Sequence, residues 1–303
     1  MTNRRRFLAI SAAAIAFPGV GVAEPIYTWQ GVALGARATL RLVHPDAKAI
    51  SLRVAAEISR LEDIFSLYRA ESALSKLNQA VALAEAPFEL VEGLSIASSV
   101  HAASGGRFDP TIQPLWAIHA EASVKGNLAD IDAIDQARAL TGWEKVRFDS
   151  AAITMNADMA LTLNGIAQGY IADRIADMLS AEGLSNILIN TGEFRALGTH
   201  PDGAAWPVKL AGGGKVDLAA RALATSAPLG TTFDAASKVG HILDPRTGLS
   251  TTSPWREITV SSPSAALADA LSTAACLFET GAEIDACLAQ FQDVRLEAAK
   301  ARV

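Results

Sequence analysis

The sequence predicts an α+β fold, and three observations carry that prediction. Segments with apolar residues at helical spacing are interleaved with short alternating runs that read as hairpin strands. Glycine and Asp-Pro turns punctuate those runs. There is no regular strand–helix alternation and no Gly-x-Gly-x-x-Gly following a strand, as a doubly wound parallel sheet holding a dinucleotide would carry. The chain has 303 residues, half of them apolar, enough for one large domain or two intimate ones.

In order, Tyr27 to Val43 reads as paired strands with Gly31 and Gly35 near the turn. Pro45-Asp46 opens a helix whose apolar positions Ile50, Val54, Ile58, Leu61 and Phe65 share one face. Ser66 to Asn78 is a short segment in which serines can cap a brief helix. A second helix runs from about Leu90 to Ser104 and stops at Gly105-Gly106. Phe108 to Trp116, with two prolines, reads as irregular, and Asp130 to Leu140 as helical. Val146–Phe148 and Ala152–Met155 alternate like a hairpin, and a helix spans Gly165 to Leu179. Leu184 to Leu197, Trp206 to Leu210 and Ile258 to Ser261 read as strands, and Ala265 to Phe278 as a long apolar helix.

The N-terminus reads Arg4-Arg5-Arg6-Phe7-Leu8, then small and apolar residues to Val22, then Ala23-Glu24-Pro25. A cationic start, an apolar stretch and small residues before a boundary describe a signal peptide, here of twin-arginine type, with cleavage expected after Ala23. The expectation is residues 1–23 as signal, 24–303 as the functional domain, and a periplasmic location. Acids outnumber bases 32 to 26, so the charge is no footprint for nucleic acid. Cys276 and Cys287 lack metal-site spacing and read as buried free thiols.

Five segments can carry chemistry. In Ala268-Asp269-Ala270-Leu271-Ser272-Thr273, Asp269 and Thr273 lie one helical turn apart and offer hard oxygens suited to Mg²⁺; the bland alternative is a helix cap and a polar surface position. His241-Ile242-Leu243-Asp244-Pro245-Arg246-Thr247-Gly248 is a tight turn presenting a base, a carboxylate and a guanidinium, or simply a turn around a packed histidine. Gly105-Gly106-Arg107-Phe108-Asp109-Pro110-Thr111 sets an aromatic beside a carboxylate, or merely ends a helix. Leu163-Asn164-Gly165-Ile166-Ala167-Gln168-Gly169-Tyr170 gives close backbone approach at a helix start, favourable for a diphosphate, or small-residue packing. Tyr68, beside Ser66, offers a flat ring for stacking.

Each motif is weak alone. Together, in this order and spacing from about residue 27 to 290, they resemble the ApbE family of FAD:protein FMN transferases. The resemblance implies an ApbE-like, T-fold-related arrangement of mixed sheets flanked by helices, with an FAD cleft between two halves. It implies flavin contacts at Leu34 and Tyr68, an adenosine-facing segment at Arg107, Phe108 and Asp109, and FAD contacts at Thr162 and Gln168. His241 and Ile242 would lie against the flavin and diphosphate, and Gly165, Asp269, Ser272 and Thr273 would form the metal segment. Many relatives carry Lys where this chain has Gln168, an acid where it has Thr162, a Gly-Gly pair at Gly192-Glu193 and Ser-Gly at Ser226-Ala227. The variant glycine-rich segment is similar to the branch accompanying nitrous oxide reduction, whose acceptor is a membrane-bound regulator.

The implied activity is Mg²⁺-dependent transfer of FMN from FAD to a Thr or Ser hydroxyl of an acceptor flavoprotein, releasing AMP. His241 and Asp269 are the catalytic candidates. Two alternatives stand beside it: a FAD diphosphatase yielding FMN and AMP, and a non-catalytic periplasmic FAD-binding or maturation factor.

Overall fold

The computed structural model describes residues 25–302. The signal-peptide expectation for residues 1–23 lies outside them. Strands β1 (Tyr27–Ala33) and β2 (Ala36–Leu42) form the first hairpin, followed by helices α1 (Ala47–Phe65) and α2 (Ala73–Ala80), strand β3 (Ala82–Ala84) and helix α3 (Phe88–Ala103). A 3₁₀ turn at Pro110–Ile112 leads into α4 (Gln113–Val124), then α5 (Ile131–Ala139), β4 (Arg147–Phe148), β5 (Ala152–Thr154) and α6 (Ala167–Ala181). The second half runs β6 (Ile187–Asn190), β7 (Phe194–Leu197), β8 (Trp206–Lys209), β9 (Lys215–Leu218), β10 (Ala222–Ser226), β11 (Trp255–Ser262), α7 (Ala265–Ala275), α8 (Gly281–Leu288) and β12 (Arg295–Ala301).

The main sheet has seven strands in the order β1-β2-β6-β7-β10-β11-β12, and every neighbouring pair is antiparallel. The predicted α+β class is what the chain adopts. Side chains alternate across this sheet as the strand period requires. Ile187 and Ile189 join the large core beneath α1, α3, α6 and α7, whereas Leu188 between them joins a second cluster with Trp206, Val208 and Leu218 of the β8–β9 hairpin. A third cluster, Leu115, Ile134, Ala137, Phe233 and Leu243, ties α4 and α5 to the 227–250 loop.

Several local readings are refined. Leu184 to Leu197 is two strands, broken at Thr191–Glu193 where Gly192 takes φ +113°. The two prolines of 108–116 start structure instead of preventing it. Pro110 opens the 3₁₀ turn and Pro114 sits in the first turn of α4, where a missing N–H costs nothing. Helix α2 forms as the serines suggest, with Ser72 accepting from Ser75 N at 3.0 Å. Strand β12, Arg-Leu-Glu-Ala-Ala-Lys-Ala, is made of helix formers, yet it pairs along β11 and half-buries alternate residues. Cys276 and Cys287 are free and buried, as expected.

Two helices are pressed together unusually closely. A Cβ built on Gly169 of α6 would lie 2.2 Å from the Ala265 carbonyl oxygen at the start of α7. One turn later, Asp173 accepts bonds from Ala265 N at 2.8 Å and Ala266 N at 3.0 Å, and from the Ser264 hydroxyl at 2.7 Å. A carboxylate of one helix thus satisfies the first amides of the other, where the helix dipole favours a negative charge. Gly169→Ala is expected to destabilise the protein by about 1–3 kcal/mol or more, because the clash is with backbone and must be relieved by moving a helix. Chemical denaturation of wild type and variant measures it, and an unchanged midpoint would contradict the close contact.

Candidate functional site

The α6–α7 contact sets the inner wall of a cavity of about 380 Å³, a volume in the range of small-molecule sites. Asp269 lies in the middle of α7, four residues beyond its first residue, so it is not the helix cap; Ser264 holds that place by accepting from Leu267 N at 3.2 Å. With α6 so near, Asp269 Oδ2 accepts from the Gly169 amide at 3.2 Å. Thr273, one turn on, points into the same cavity. A Cβ on Gly165 would sit 3.2 Å from Thr273 Oγ1 and 3.2 Å from the Phe108 ring. The two glycines of the glycine-rich segment therefore differ in role: Gly169 permits helix packing, and Gly165 keeps the cavity floor open.

Most residues singled out in the sequence meet here. Arg107, Phe108, Asp109, Thr162, Gly165, Gln168, His241, Ile242, Asp269 and Thr273 all line the cavity. Three others do not. Ser272 is fully buried behind it, donating to the Asp269 carbonyl at 3.0 Å and sharing a 2.7 Å bond with Ser226 Oγ, which also meets Thr273 Oγ1 at 3.1 Å. It braces the wall instead of presenting an oxygen to the cavity. Leu34 sits at the β1–β2 turn with φ +48°, its amide bonded to Glu62 Oε1 at 2.7 Å. Tyr68 is 82% exposed, and among the described residues it stacks on no other ring.

The turn motif divides its labour too. Asp244 and Arg246 bond one another at 2.6 to 3.2 Å, and the Asp244 carboxylate also accepts from Arg246 N at 2.9 Å. They shape the turn and lie off the cavity. His241, presented by that turn, shares a 3.1 Å bond between Nδ1 and the Thr231 carbonyl. A carbonyl only accepts, so Nδ1 carries the proton and Nε2 keeps the ring's lone pair. Burial lowers the His241 pKa and favours this neutral form. Arg107 lies 4.5 Å over the Phe278 ring and donates to the Ser104 carbonyl at 3.2 Å. Asp109 accepts from Thr111 N at 2.8 Å and Thr111 Oγ1 at 2.6 Å, which fixes the loop that carries Phe108.

A cavity residue that the sequence reading did not count among the site candidates, noting it only as a departure from a Gly-Gly pair, is Glu193 in the β6–β7 turn. It is 9% exposed, lines the cavity and accepts from Thr225 N at 3.1 Å. The available signal was an acid after glycine inside an otherwise apolar strand run. Thr225, Thr231 and Trp116 also line the cavity and carry no motif of their own, beside Ser226 of the Ser226-Ala227 segment. Burial drives the Glu193 carboxyl well above its ordinary pKa, and the Asp269 charge adds to it. Burial pushes Asp269 up to about 7, opposed by the Gly169 amide.

These oxygens fit a hard divalent cation better than a soft one. Among the described residues, no three His, Cys, Asp or Glu side chains converge as a closed metal cage. An ion here would complete its shell from hydroxyl, backbone, water or phosphate oxygens, which is how Mg²⁺ is usually held.

The ApbE family model matches residues 34–296. A FAD:protein FMN transferase of Klebsiella pneumoniae (strain 342) is 30% identical over 282 residues, covering 89% of this chain and 87% of that protein. One from Chlamydia pneumoniae is 30% identical over 239 residues, 74% of each. The apo crystal structure of the flavinyl transferase ApbE from Pseudomonas stutzeri superposes with a TM-score of 0.76 at 26% identity, covering 88% of this chain and 89% of that one. The ApbE protein of Thermotoga maritima gives 0.77 at 23% identity, covering 91% and 97%, a likeness of fold.

The raised Asp269 pKa has a direction that can be measured. Between about pH 4, where the unfolded carboxyl loses its proton, and about 7, the folded chain still holds it, so this group's contribution to stability falls as pH rises. In metal-free buffer, Asp269→Asn should gain Tm relative to wild type from about pH 5 to about 7 and then level off. A difference that does not vary with pH would refute this.

Proposed function

The chain belongs to the ApbE family, and from that premise we propose that it transfers FMN from FAD to a threonine or serine hydroxyl of an acceptor flavoprotein. The observation that carries the reading is the pairing, in one cavity, of a buried oxygen wall around Asp269 and Thr273 with a neutral histidine across from it. Its relatives' name, FAD:protein FMN transferase, supplies the substrate and the transferred group.

The residues divide the work as follows. Phe108 and Ile242 offer apolar surface for the rings, and Arg107 a fixed positive charge at the cavity wall. Asp269 and Thr273, with a backbone oxygen at Gly165, would hold Mg²⁺. When bound, that ion supplies positive charge against the diphosphate and the charge that develops during transfer. His241 Nε2 accepts the proton of the acceptor hydroxyl as its oxygen bonds to the FMN-side phosphorus. The bond from that phosphorus to the bridging oxygen breaks, and AMP leaves with the bridging oxygen. The proton held on His241 then passes to solvent, and FMN remains as a phosphoester. Export through the twin-arginine route, expected from residues 1–23, would place this reaction in the periplasm. A membrane-bound electron-transfer or regulator subunit of the kind accompanying nitrous oxide reduction is the acceptor class we favour.

Incubating the chain with FAD, Mg²⁺ and an acceptor flavoprotein should raise the acceptor's mass by one FMN phosphoester and release AMP in equal amount. Asp269→Ala should abolish both. AMP accompanied by free FMN and an unmodified acceptor would establish hydrolysis instead. His241→Ala should slow transfer by about 10²–10⁴-fold, the usual weight of a general base. Because burial lowers the His241 pKa, wild-type activity should persist below the usual histidine range and fall only at more acid pH. Loss of activity on passing below about pH 6.5 would contradict the neutral-base role.

A further inference from the structure

We propose that Glu193 is a second carboxylate ligand of the divalent cation at Asp269, and that the neutral side chain of Gln168 leaves both negative charges for that cation to offset. The inference rests on the reading of Asp269 as a cation site and extends it to two residues of this chain.

The geometry is built for an ion. Asp269 is 4% exposed and Glu193 9%, and both face the same cavity from opposite elements, α7 and the β6–β7 turn. Each carboxylate has one oxygen held by a single amide: Asp269 Oδ2 by Gly169 N at 3.2 Å and Glu193 Oε2 by Thr225 N at 3.1 Å. Among the described residues, the other oxygen of each receives no hydrogen bond, and neither carboxylate forms an ion pair. Two desolvated carboxylates that share one pocket without a cation are costly, because neither charge is compensated. A dinucleotide diphosphate would bring further negative charge to the same place. A hard divalent ion between the two free oxygens removes both penalties.

Gln168 occupies the place from which a protein cation would otherwise act. Its amide lies against Gly192, the neighbour of Glu193; a Cβ at Gly192 would be 2.5 Å from Gln168 Oε1. The turn is tied to the same residue, since Thr191 Oγ1 donates to the Gln168 carbonyl at 2.8 Å. The basic side chain lining the cavity, Arg107, is engaged with Phe278 and the Ser104 carbonyl. An ammonium at position 168 would sit beside Glu193 and compete with the bound ion.

The test is Mn²⁺ binding to the full chain without FAD, followed by the loss of the free-ion electron paramagnetic resonance signal, together with the Tm shift that Mn²⁺ produces. Wild type should bind one ion, and Asp269→Ala should lose it. Glu193→Gln, which keeps the acceptor for Thr225 N, should weaken binding by roughly tenfold or more and shrink the Mn²⁺-induced Tm shift, while its metal-free Tm does not fall. Gln168→Lys should weaken binding to a similar degree. If wild type binds no ion, or Asp269→Ala binds normally, the cation site itself is wrong. If Asp269→Ala loses the ion but Glu193→Gln or Gln168→Lys keeps wild-type affinity, the present inference alone is overturned. A fall in the metal-free Tm of Glu193→Gln with unchanged affinity would assign Glu193 a purely structural role.

Discussion

The contact on which this molecule depends is the approach of α6 to α7 through Gly169. Only a residue without a side chain can stand 2.2 Å, measured from where its Cβ would be, from the Ala265 carbonyl. That proximity lets Asp173 bond the first amides of α7, and it brings the Gly169 amide to the Asp269 carboxylate. One packing decision thereby seats a helix against the sheet, satisfies its N-terminus and aims its carboxylate. Fold and site are not separable at this point, because the same backbone atoms serve both.

Around this contact the cavity gathers residues from sequence-distant places by simple means. The 107–110 loop is fixed by Asp109 and Thr111, and Thr111 Oγ1 in turn accepts from Gly142 N at 2.7 Å. The 241–248 turn is closed by Asp244 and Arg246, which leaves His241 at the cavity with Nδ1 held by the Thr231 carbonyl. Charged residues of the motifs are thus largely spent on holding loops, and the neutral or uncompensated ones face the interior. This is a general economy of polar sites: groups that must be free to act are surrounded by groups that are not.

Much of this was legible in the sequence, for physical reasons that can be named. The helical period of α1, the glycine stop after α3 and the i, i+4 relation of Asp269 and Thr273 are local, and local rules read them. The motif segments were found because they cluster several chemical types within eight residues. Glu193 registered only as a departure from a Gly-Gly pair, because its surroundings come from Asp269 on α7 and from Thr225 on β10, the sheet neighbour of β7 but distant in sequence. Strand β12 escaped because its composition favours a helix and only the free edge of β11 overrides it. The split of Leu184 to Leu197 into two strands turned on one glycine, whose positive φ only the tertiary turn requires. Ser272 was read with its neighbours as a ligand, and three residues of helical rotation send it to the wall behind them.

The small cluster of Leu115, Ile134, Ala137, Phe233 and Leu243 gives the cavity a wall with its own cohesion. Trp116 and Thr231 reach the cavity from that unit, whereas Asp269, Thr273 and Glu193 reach it from the sheet and α7. Phe108 and Ile242 belong with the apolar residues of α7 to the large core, so the part of the rim at Trp116 and Thr231 rests on a different apolar nucleus from the rest of the cavity. Substitutions within the small nucleus can reshape that rim while the oxygen-lined inner face keeps its spacing, because the two share an opening but not a foundation.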